Sequence, residues 1–465
     1  MIEETSKEVI QSIMQKQRKF FQSQITKDFD FRMTQLMSLY VGIEKHEEEI
    51  MEALKSDLGK HPTESYMMEI GTVYKSISEA IKSLKGWMTP ERKKTPWYMQ
   101  PAKSSIIHEP FGNTLIIAPF NYPFYLLIEP LVGAIAAGNT AVLKPADGTP
   151  NVSNAVTKMI RDTFQEEYIA IVEGGRITNT FLLEEKFDLI FFTGGAIVGR
   201  IVMEAASKNL TPVVLELGGK SPAIVDESAK IKLAAERIVF GKFSNAGQTC
   251  ICPDYVFVHE SKKEELLEEM SKVLQEFYGE NIEESDSYGR IASDNHFERL
   301  NEIIEKDQEF IFSGGTTNRQ EKYIEPTILD LKTPAAAAMD EEIFGPILPV
   351  ISYRDLVEVT SFINKNEKPL AMYIFTQNKR TKEHILKSTS SGGVCINDTL
   401  QHIINPHLPF GGVGNSGMGN YHGKASFKTF SHARSVLEKY SNLTAALTNP
   451  AYNKTQLGLL RFIFK

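Results

Sequence analysis

The chain has 465 residues and a formal net charge of −8, from 51 basic and 59 acidic side chains. This length is too great for one simple hydrophobic core and suits two large domains with an appendage. The acidic balance argues against a general nucleic-acid-binding protein, which would carry a basic stripe. No uninterrupted apolar run in the sequence approaches the ~20 residues that a membrane-spanning helix needs.

The cysteine content and the two termini indicate the compartment. Cys250, Cys252 and Cys395 are too few for a disulfide framework and favour a reducing environment. Residues 1–8 lack the basic start and apolar core of a signal peptide, so we expect a cytoplasmic protein. Residues 458–465 are apolar and basic, which allows weak contact with a membrane surface. Packing on the protein's own surface is the more ordinary role for such a tail.

The N-terminal region is predicted to be helical. Apolar residues recur at helical spacing between residues 31 and 58, and Gly59 follows them. Prolines between residues 86 and 105 interrupt this pattern and predict an excursion from the main body.

A rhythm of strands and helices begins near residue 113. Short apolar runs predict strands at 115–117, 141–143, 169–172, 189–192 and 213–217. Segments of helical length lie between several of them, at 124–137 and 151–164. This alternation predicts a parallel, doubly wound sheet, which binds nucleotides at the carboxyl ends of its strands.

A second α/β series begins near residue 223. Its predicted helix covers 262–278, and its predicted strands cover 255–258, 347–351, 371–376 and 392–397. We find no internal repeat and no low-complexity linker in the sequence.

Cys250 is the sharpest candidate for chemistry. A thiol that attacks a carbonyl needs open approach, and the small residues in the preceding segment 245–249 leave that approach free. Most free cysteines are buried and inert, which fits Cys395 in its apolar strand, but the polar approach to Cys250 favours a nucleophile. Upstream, Glu216 ends an apolar run, where burial would raise its pKa toward that of a useful base.

A glycine-rich turn is a weaker signal. Gly194, Gly195 and Gly199 follow the predicted strand 189–192 and open a helix, which is the setting for phosphate at a helix N-terminus. Glycine is common in such turns, and the spacing is not that of the usual dinucleotide fingerprint.

These segments resemble the aldehyde dehydrogenase superfamily. The matching motifs occur in the family's order from about residue 110 to 425, at 118–123, 144–145, 215–222, 241–250, 341–346 and 408–414. The short N-terminal region, residues 250–255 and the ending 419–423 resemble the class 3 branch, which includes fatty-aldehyde enzymes and bacterial carotenoid-aldehyde dehydrogenases.

The resemblance implies NAD(P)-dependent oxidation of an aldehyde to a carboxylic acid. Cys250 would form a hemithioacetal and then a thioester, and a lowered thiol pKa would increase its thiolate fraction. Asn121, which otherwise would be ordinary turn chemistry, would form the oxyanion hole with the backbone N–H of Cys250. Glu216 would activate the hydrolytic water. Relatives that transfer the acyl group to coenzyme A generally lack this glutamate, so hydrolysis is expected.

The implied cofactor is NAD or NADP, and no metal is implied. By resemblance, the cofactor contacts are Lys144, Gly194, Gly195, Gly199, Glu342 and Phe410. Phe410 is nearly as compatible with a core aromatic. Asp147 stands where the family often has a glutamate that repels a 2′-phosphate, so its shorter side chain leaves NADP use open.

The expected fold is α/β, with a Rossmann-like dinucleotide-binding domain and a catalytic α/β domain. The boundaries are 1–85 with 113–214 for the first domain, 215–424 for the second, 86–112 with 425–445 for a small bridging and oligomerisation element, and 446–465 for a C-terminal tail. Class 3 relatives are typically homodimers, so a homodimer is expected.

Cys252 stands where the class 3 pattern commonly has a small residue such as alanine. His259 lies nearby, but no second Cys/His pair follows at a spacing suited to zinc. We expect Cys252 to be a spectator, and the alternative is that it traps oxidised Cys250 reversibly.

Aromatic residues beside Asn121 fit an apolar entrance, provided that none of them belongs to the core: Phe120, Tyr122, Phe124 and Tyr125. Such an entrance would suit medium or long aliphatic, aromatic or terpenoid aldehydes. Two other functions remain open, a non-catalytic binding protein and an esterase that uses Cys250 without a cofactor. The joint presence of Cys250, Glu216 and Asn121 argues against the first, and ester turnover without nicotinamide would identify the second.

Overall fold

The computed structural model describes residues 3–439, 450 and 452–464. An N-terminal helical layer confirms the predicted helical region and comprises Lys7–Gln22 (α1), Phe29–Leu58 (α2), Pro62–Ser65 (α3) and Gly71–Met88 (α4). A π-helical turn, Tyr66–Ile70, connects the last two helices. The Asp28 side chain accepts the Phe31 N–H at the start of α2. Gly59 ends that helix at φ +66°, a left-handed conformation that glycine adopts without steric cost.

Most of the helices and strands after residue 110 belong to two α/β layers. The helices that follow are Tyr125–Ala137 (α5), Pro150–Thr163 (α6), Arg176–Glu184 (α7), Ala196–Ser207 (α8), Ile231–Phe243 (α9), Lys263–Tyr278 (α10), Asp294–Lys306 (α11), Leu356–Lys365 (α12), Lys379–Ser388 (α13), Gln401–Ile404 (α14), Lys424–Thr429 (α15) and Lys454–Phe464 (α16). The strands are Glu91–Lys93 (β1), Ala102–Pro110 (β2), Asn113–Ile117 (β3), Thr140–Lys144 (β4), Ile169–Ile171 (β5), Leu189–Thr193 (β6), Val213–Glu216 (β7), Pro222–Val225 (β8), Tyr255–His259 (β9), Ile311–Ser313 (β10), Thr317–Asn318 (β11), Tyr323–Ile324 (β12), Thr327–Leu331 (β13), Ile347–Tyr353 (β14), Ala371–Phe375 (β15), Gly393–Ile396 (β16), Gly417–Met418 (β17) and Ser431–Lys439 (β18).

The first sheet has the order β17-β7-β6-β3-β4-β5, and its strands are parallel except for the antiparallel edge strand β17. Helices cover both faces, so successive residues of one strand enter different cores. Ile116 packs in the main core with α5, whereas Leu115 and Ile117 pack with α1. The predicted doubly wound sheet is therefore confirmed.

The second sheet has the order β10-β13-β14-β9-β8-β15-β16, with β10 antiparallel to its neighbour. The remaining pairs in this sheet are parallel. The chain crosses from the first sheet to the second between Glu216, the last residue of β7, and Pro222, the first of β8. Such a crossing places the residues at its start beside a cleft between two sheets.

A third, antiparallel sheet contains β1, β2 and β18. Strand β18 pairs with β2 along its length, from Ser431 opposite Pro110 to Lys439 opposite Ala102. The predicted excursion after residue 86 thus contains two of these strands. The domain boundaries stay predictions, although β17 brings residues 417–418 into the first sheet. Residues 440–449, 451 and 465, which fall in the expected bridging element and tail, lie outside the described residues.

Within the described ranges, no helix has both the length and the apolar character needed to cross a bilayer.

Candidate active site

Cys250 follows a sharply turned loop between α9 and β9. Asn245, Ala246 and Gly247 have φ values of +52°, +51° and +74°, so three consecutive residues adopt left-handed backbone conformations. A Cβ on Gly247 would lie 2.3 Å from the carbonyl oxygen of Gly345, so this position has no room for a side chain. The loop therefore holds Cys250 away from both the helix and the strand, at the meeting point of two cavities.

The first cavity has a volume of about 100 Å³ and a mostly apolar lining, and it is called the apolar channel below. It is lined by Met67, Met68, Thr72, Tyr122, Tyr125, Leu126, Phe240, Thr249, Cys250, Ile251, Leu400, Gln401, Ile403 and Ile404. The π-helical turn and the short helix α14 supply much of this lining. Cys250 also lines the second cavity, so this residue lies between the two cavities.

The second cavity has a volume of about 470 Å³ and carries polar and charged side chains. Asn121, Thr193, Gly194, Gly195, Glu216 and Glu342 line it together with Cys250. All three predicted catalytic residues and three of the predicted cofactor contacts therefore meet around one space.

Asn121 lies in the turn between β3 and α5, and its side chain is buried. Its Nδ2 donates a hydrogen bond to the carbonyl oxygen of Gln248, 2.9 Å away. Because an amide nitrogen carries two hydrogens, this bond orients the group and leaves one donor for a ligand. The carbonyl of Asn121 accepts hydrogen bonds from Lys60 Nζ at 2.9 Å and from Asn245 Nδ2 at 2.8 Å.

Glu216 ends β7 with its side chain buried. Both of its carboxylate oxygens lie without a hydrogen-bond partner, which is costly for a buried polar group. Burial raises the pKa of Glu216 well above its ordinary value. A carboxylate with a high pKa is a stronger base, and the apolar neighbours of Glu216 in the sequence predict this direction.

Burial also raises the pKa of the Cys250 thiol, and the carboxyl groups of Glu342 and Glu216 add to this rise. This direction is opposite to the lowered pKa that would make a ready thiolate. The thiol proton must therefore pass to a base when the sulfur attacks a carbonyl.

The residues around the second cavity fit a dinucleotide. Helix α8 begins after Gly195 without a side-chain cap, so its first N–H groups are free to bind phosphate oxygens. A Cβ on Gly195 would meet no atom within 4 Å, so its backbone faces open space. The buried Thr193 Oγ1 and both Glu216 oxygens lack hydrogen-bond partners, and both residues line this cavity. Lys144, at the end of β4, is buried, and its Nζ donates to the Pro145 carbonyl at 2.6 Å.

Two other predicted contacts lie in packed surroundings. A Cβ on Gly199 would lie 2.7 Å from Leu217 Cδ2, so this glycine allows close packing of α8 against the chain after β7. Phe410 is buried and stacks on His422 with ring centroids 5.4 Å apart. This position is that of a core aromatic, and its contact with nicotinamide stays a prediction.

Glu342 is held by the loop 340–345. Its carboxylate abuts Gly218, where a Cβ would lie 2.0 Å from Glu342 Oε2. Burial, with a smaller effect of Asp254, raises the pKa of Glu342 to about 8. The Asp254 carboxylate accepts a hydrogen bond from the N–H of Ile343, the residue after Glu342, at 3.2 Å. It also pairs with Lys220 at 2.7 Å. These contacts fix the loop that carries Glu342 against the second sheet.

The aromatic residues beside Asn121 have different environments. Tyr122, Phe124 and Tyr125 are all buried in the main core, so the composition argument for an entrance made by the four aromatics is wrong. Phe120 lines the polar cavity, whereas Tyr122 and Tyr125 line the apolar channel. The direction of each side chain in this turn depends on the packing of α5.

Cys252 and Cys395 lie in other surroundings. The buried Cys252 thiol donates to the Gly247 carbonyl at 3.4 Å, and Lys242 Nζ lies 3.8 Å from its sulfur. These contacts agree with a spectator that packs beneath the loop. Cys395 is half-buried in β16.

Several residues of the two cavities carried no recognisable signal in the sequence. His296 and Arg299 line the polar cavity, and Met67, Phe240 and Ile403 line the channel, among others. They come from separate segments, so no local pattern joins them. In the part of the chain that the structure describes, no group of three or more His, Cys, Asp or Glu side chains could hold a metal ion.

Comparison with known proteins agrees with this geometry. Residues 1–436 match the model of the aldehyde dehydrogenase family. The chain is 51% identical over 446 residues to 4,4'-diaponeurosporen-aldehyde dehydrogenase of Staphylococcus aureus, covering 96% of this chain and 97% of the relative. It is 44% identical over 430 residues to the dimeric NADP-preferring aldehyde dehydrogenase of Rattus norvegicus, covering 92% and 94%.

The fold is similar to that of a solved structure described as the substrate-bound state of Staphylococcus aureus AldH. The TM-score is 0.96 at 50% sequence identity, with 98% of this chain and 99% of that chain covered. The predicted α/β fold and the predicted family are both confirmed. The chain belongs to the aldehyde dehydrogenase family, and it is an oxidoreductase that oxidises an aldehyde with NAD or NADP.

Proposed function

We propose that Cys250 is the nucleophile of this oxidation, with Asn121 as the oxyanion donor and Glu216 as the base for hydrolysis. The observation that carries the proposal is the position of Cys250, which lines both the apolar channel and the polar cavity. One cavity can bring an aldehyde to the sulfur while the other holds the cofactor.

In the first step, the Cys250 sulfur adds to the aldehyde carbon and the thiol proton leaves to a base. The negative charge that develops on the aldehyde oxygen is stabilised by the free N–H of the Asn121 amide and by the backbone N–H of Cys250. The residues of the polar cavity would hold the nicotinamide cofactor, which would supply the acceptor for the hydride that leaves the former aldehyde carbon.

In the second step, Glu216 takes a proton from a water molecule that attacks the thioester carbon. The carbon–sulfur bond breaks, the acid is released, and the Cys250 sulfur is reprotonated. Glu216 suits this role because its raised pKa makes its carboxylate basic, and because its oxygens have no competing partner.

The proposed cofactor contacts are Lys144, Gly194, Gly195, Gly199, Glu342 and Phe410. The N-terminus of α8 supports binding of the cofactor phosphates. The carboxylate of Glu342, on the loop 340–345, supports binding of a ribose hydroxyl. Gly199 would contribute through packing of α8.

We propose an aldehyde with an extended apolar chain as the substrate. The small volume and apolar lining of the channel, with Met68, Phe240 and Ile403, support an apolar group of small cross-section. The name of the Staphylococcus aureus relative, which specifies a diaponeurosporene-derived aldehyde for that protein, points in the same direction.

We further propose a homodimer in the cytoplasm. The long, mostly exposed edge strand β18 and the name of the rat relative support a dimer, and three free cysteines support a reducing compartment.

Helix α16 exposes Phe462 and Phe464, while the Phe464 ring lies 5.6 Å from that of Tyr98. Contact with a membrane surface would therefore be weak at most.

The direct test is the formation of reduced cofactor from a panel of aldehydes, with NAD and NADP offered separately. We expect turnover that Cys250→Ala abolishes and Cys252→Ala retains. Turnover that survives in Cys250→Ala would contradict the assigned nucleophile. A rise in KM for long-chain aldehydes alone in Ile403→Trp would support the channel as the substrate site, and unchanged KM values for all chain lengths would refute it.

A further inference from the structure

We propose that a cluster of charged side chains, the buried Lys60 and Glu69 with the partly buried Glu64, positions Asn121 and the loop before Cys250 relative to each other. The inference rests on the catalytic roles proposed above and adds three residues to them. None of the three touches either cavity through a lining contact. They act on the site through the backbone groups that they bind.

Lys60 and Glu69 form a fully buried ion pair. Both side chains have no exposed surface, and Lys60 Nζ lies 2.5 Å from Glu69 Oε1. Lys60 also donates to the Asn121 carbonyl at 2.9 Å and lies 4.0 Å above the Tyr122 ring. Besides its ion pair with Glu69, Lys60 therefore contacts two consecutive residues, Asn121 and Tyr122, of the turn between β3 and α5.

Glu69 holds the other end of the same turn. Its second carboxylate oxygen accepts the backbone N–H groups of Phe124 at 3.0 Å and Tyr125 at 3.1 Å. These residues begin helix α5, which has no side-chain cap of its own. An anion at this end is favoured by the free N–H groups and by the helix dipole. The ion pair thus fixes both ends of the segment 121–125.

Glu64 performs the corresponding role for the cysteine loop. Its Oε1 accepts the Asn245 N–H at 2.8 Å, at the first of the left-handed residues before Cys250. The Asn245 side chain then donates to the Asn121 carbonyl at 2.8 Å, the same oxygen that Lys60 binds. Asn121 Nδ2 closes the loop of contacts by donating to Gln248.

The arrangement is more specific than stability requires. A buried ion pair is often no more stabilising than apolar residues of similar volume, because both charges lose their hydration. Here Lys60, Glu64 and Glu69 each bind a backbone group. That group belongs either to the turn 121–125 or to the loop before Cys250. A displacement of about 1 Å between such segments is enough to slow a reaction roughly 100-fold.

Arg32 offers a matched control. It is another buried cation of the helical layer, and it donates to the carbonyls of Thr26 at 2.8 Å and Ala136 at 3.0 Å. Ala136 lies at the opposite end of helix α5 from Glu69. Arg32→Met should destabilise the protein without displacing Asn121.

The test is a double-mutant cycle read by single-turnover formation of NADH. Lys60 and Glu69 are replaced together, as Lys60→Met with Glu69→Met, so that no unpaired charge stays buried. We expect the rate at saturating aldehyde to fall roughly 10- to 100-fold with KM nearly unchanged. In an Asn121→Ala background, the same replacement should cost at most about twofold, since the groups act as one unit.

Glu64 provides an independent arm. Glu64→Gln keeps an oxygen that can accept the Asn245 N–H, so its rate should stay close to that of the parent. Glu64→Leu removes the acceptor, and we expect a loss similar to that of the Lys60 and Glu69 replacement. Thermal unfolding of each variant measures the structural effect separately from the kinetic one.

The outcomes separate the inference from the function on which it rests. A folded double variant with full rate, or an equal loss in the parent and Asn121→Ala backgrounds, would overturn the positioning role alone. An Asn121→Ala enzyme with full activity would overturn both proposals. A rate loss in Arg32→Met that also disappears in the Asn121→Ala background would show that the coupling is not specific to the cluster, and would overturn the inference.

Discussion

The side-chain amide of Asn121 donates to the main-chain carbonyl of Gln248, 2.9 Å away, across 127 positions of sequence. This bond joins the turn after β3 to the loop that carries Cys250. It sets the plane of the amide, so that its second N–H is available to a developing oxyanion. The relation between these two segments underlies the predictions that follow.

Replacing Asn121 by alanine should slow the hydride-transfer step. Loss of one oxyanion donor typically costs ~2.7–4 kcal/mol, which corresponds to a fall of ~100- to 1,000-fold in rate. Single-turnover absorbance of the reduced cofactor measures this step. Asn139→Ala is a suitable control, because Asn139 is also buried but donates to Phe430, and it should change stability more than rate. Equal rate losses in the two variants would contradict the oxyanion role.

Replacing Glu216 by glutamine should leave the first half of the reaction largely intact. The thioester would form and then persist, because no carboxylate takes the proton of the attacking water. We expect one equivalent of reduced cofactor per site in a rapid burst, followed by turnover at least ~100-fold slower than in the parent. Mass spectrometry of the intact protein should detect the acyl adduct. Rapid steady turnover without a burst would assign the hydrolytic base to another residue.

The same substitution should change the pH dependence of stability. The folded protein binds the Glu216 proton more tightly than the unfolded chain, since burial raises the folded-state pKa. The free energy of unfolding therefore falls as pH rises above ~4.3, the ordinary glutamate pKa, until the folded-state pKa is passed. Glu216→Gln removes this loss of stability. The free energy of unfolding of the variant, measured in denaturant titrations, should therefore increase relative to that of the parent from about pH 5 to pH 8.

Glu129 provides a comparison outside the catalytic residues. It is buried in α5, and burial raises its pKa to about 7. The stability advantage of Glu129→Gln should also grow above ~pH 4.3, but it should level off above about pH 7. A constant difference between variant and parent from pH 5 to pH 8 would show that the carboxyl group is not desolvated as the structure places it.

The reactivity of Cys250 should rise steeply with pH. Burial and the facing carboxyl groups of Glu342 and Glu216 raise the pKa of the thiol. Alkylation by iodoacetamide should be slow at neutral pH and still be accelerating above ~8.5, where a free thiol is half ionised. Cys252→Ala should behave in the same way, because Cys252 is buried beneath the loop. A plateau in the alkylation rate below pH 7 would indicate a cation near Cys250 that lowers its pKa.

Carboxyl groups near Lys144 should set the preference between NAD and NADP. Glu4 accepts the N–H groups of Gly175 at 3.0 Å and Thr178 at 2.9 Å, at the start of α7. Glu4 and Asp147 both act electrostatically on Lys144, so a 2′-phosphate bound beside this lysine would be repelled.

Glu4→Gln and Asp147→Asn should each tighten NADP binding relative to NAD by roughly fivefold, the equivalent of about 1 kcal/mol for one charge pair in water. Calorimetric titration of each nucleotide without aldehyde measures this directly. Glu3→Gln makes the same charge change at the neighbouring exposed position and should have little effect. Equal changes in relative NADP affinity in all three variants would show that the effect comes from net charge and not from the positions of Glu4 and Asp147.

Much of the fold follows from local patterns in the sequence. Helical spacing of apolar residues predicted α2, and short continuous apolar runs predicted the buried strands β3, β4, β6 and β7, each within a few residues. Cys250 and Glu216 could also be singled out, because each is a reactive group in an unusual local setting. These inferences need only neighbours along the chain.

The tertiary structure alone decided how those groups meet. Glu216 was predictable as the end of a strand, but its unpartnered oxygens and the cavity that it shares with Cys250 depend on how two sheets pack. Phe124 and Tyr125 are adjacent in sequence and both are buried in the core, yet only Tyr125 also lines the channel. Nothing in the sequence indicates that the ion pair of Lys60 with Glu69 contacts Asn121. Local periodicity records whether a residue is buried, whereas the partner it meets is set by long-range packing, and this is why the chemistry of the site was decided only by the fold.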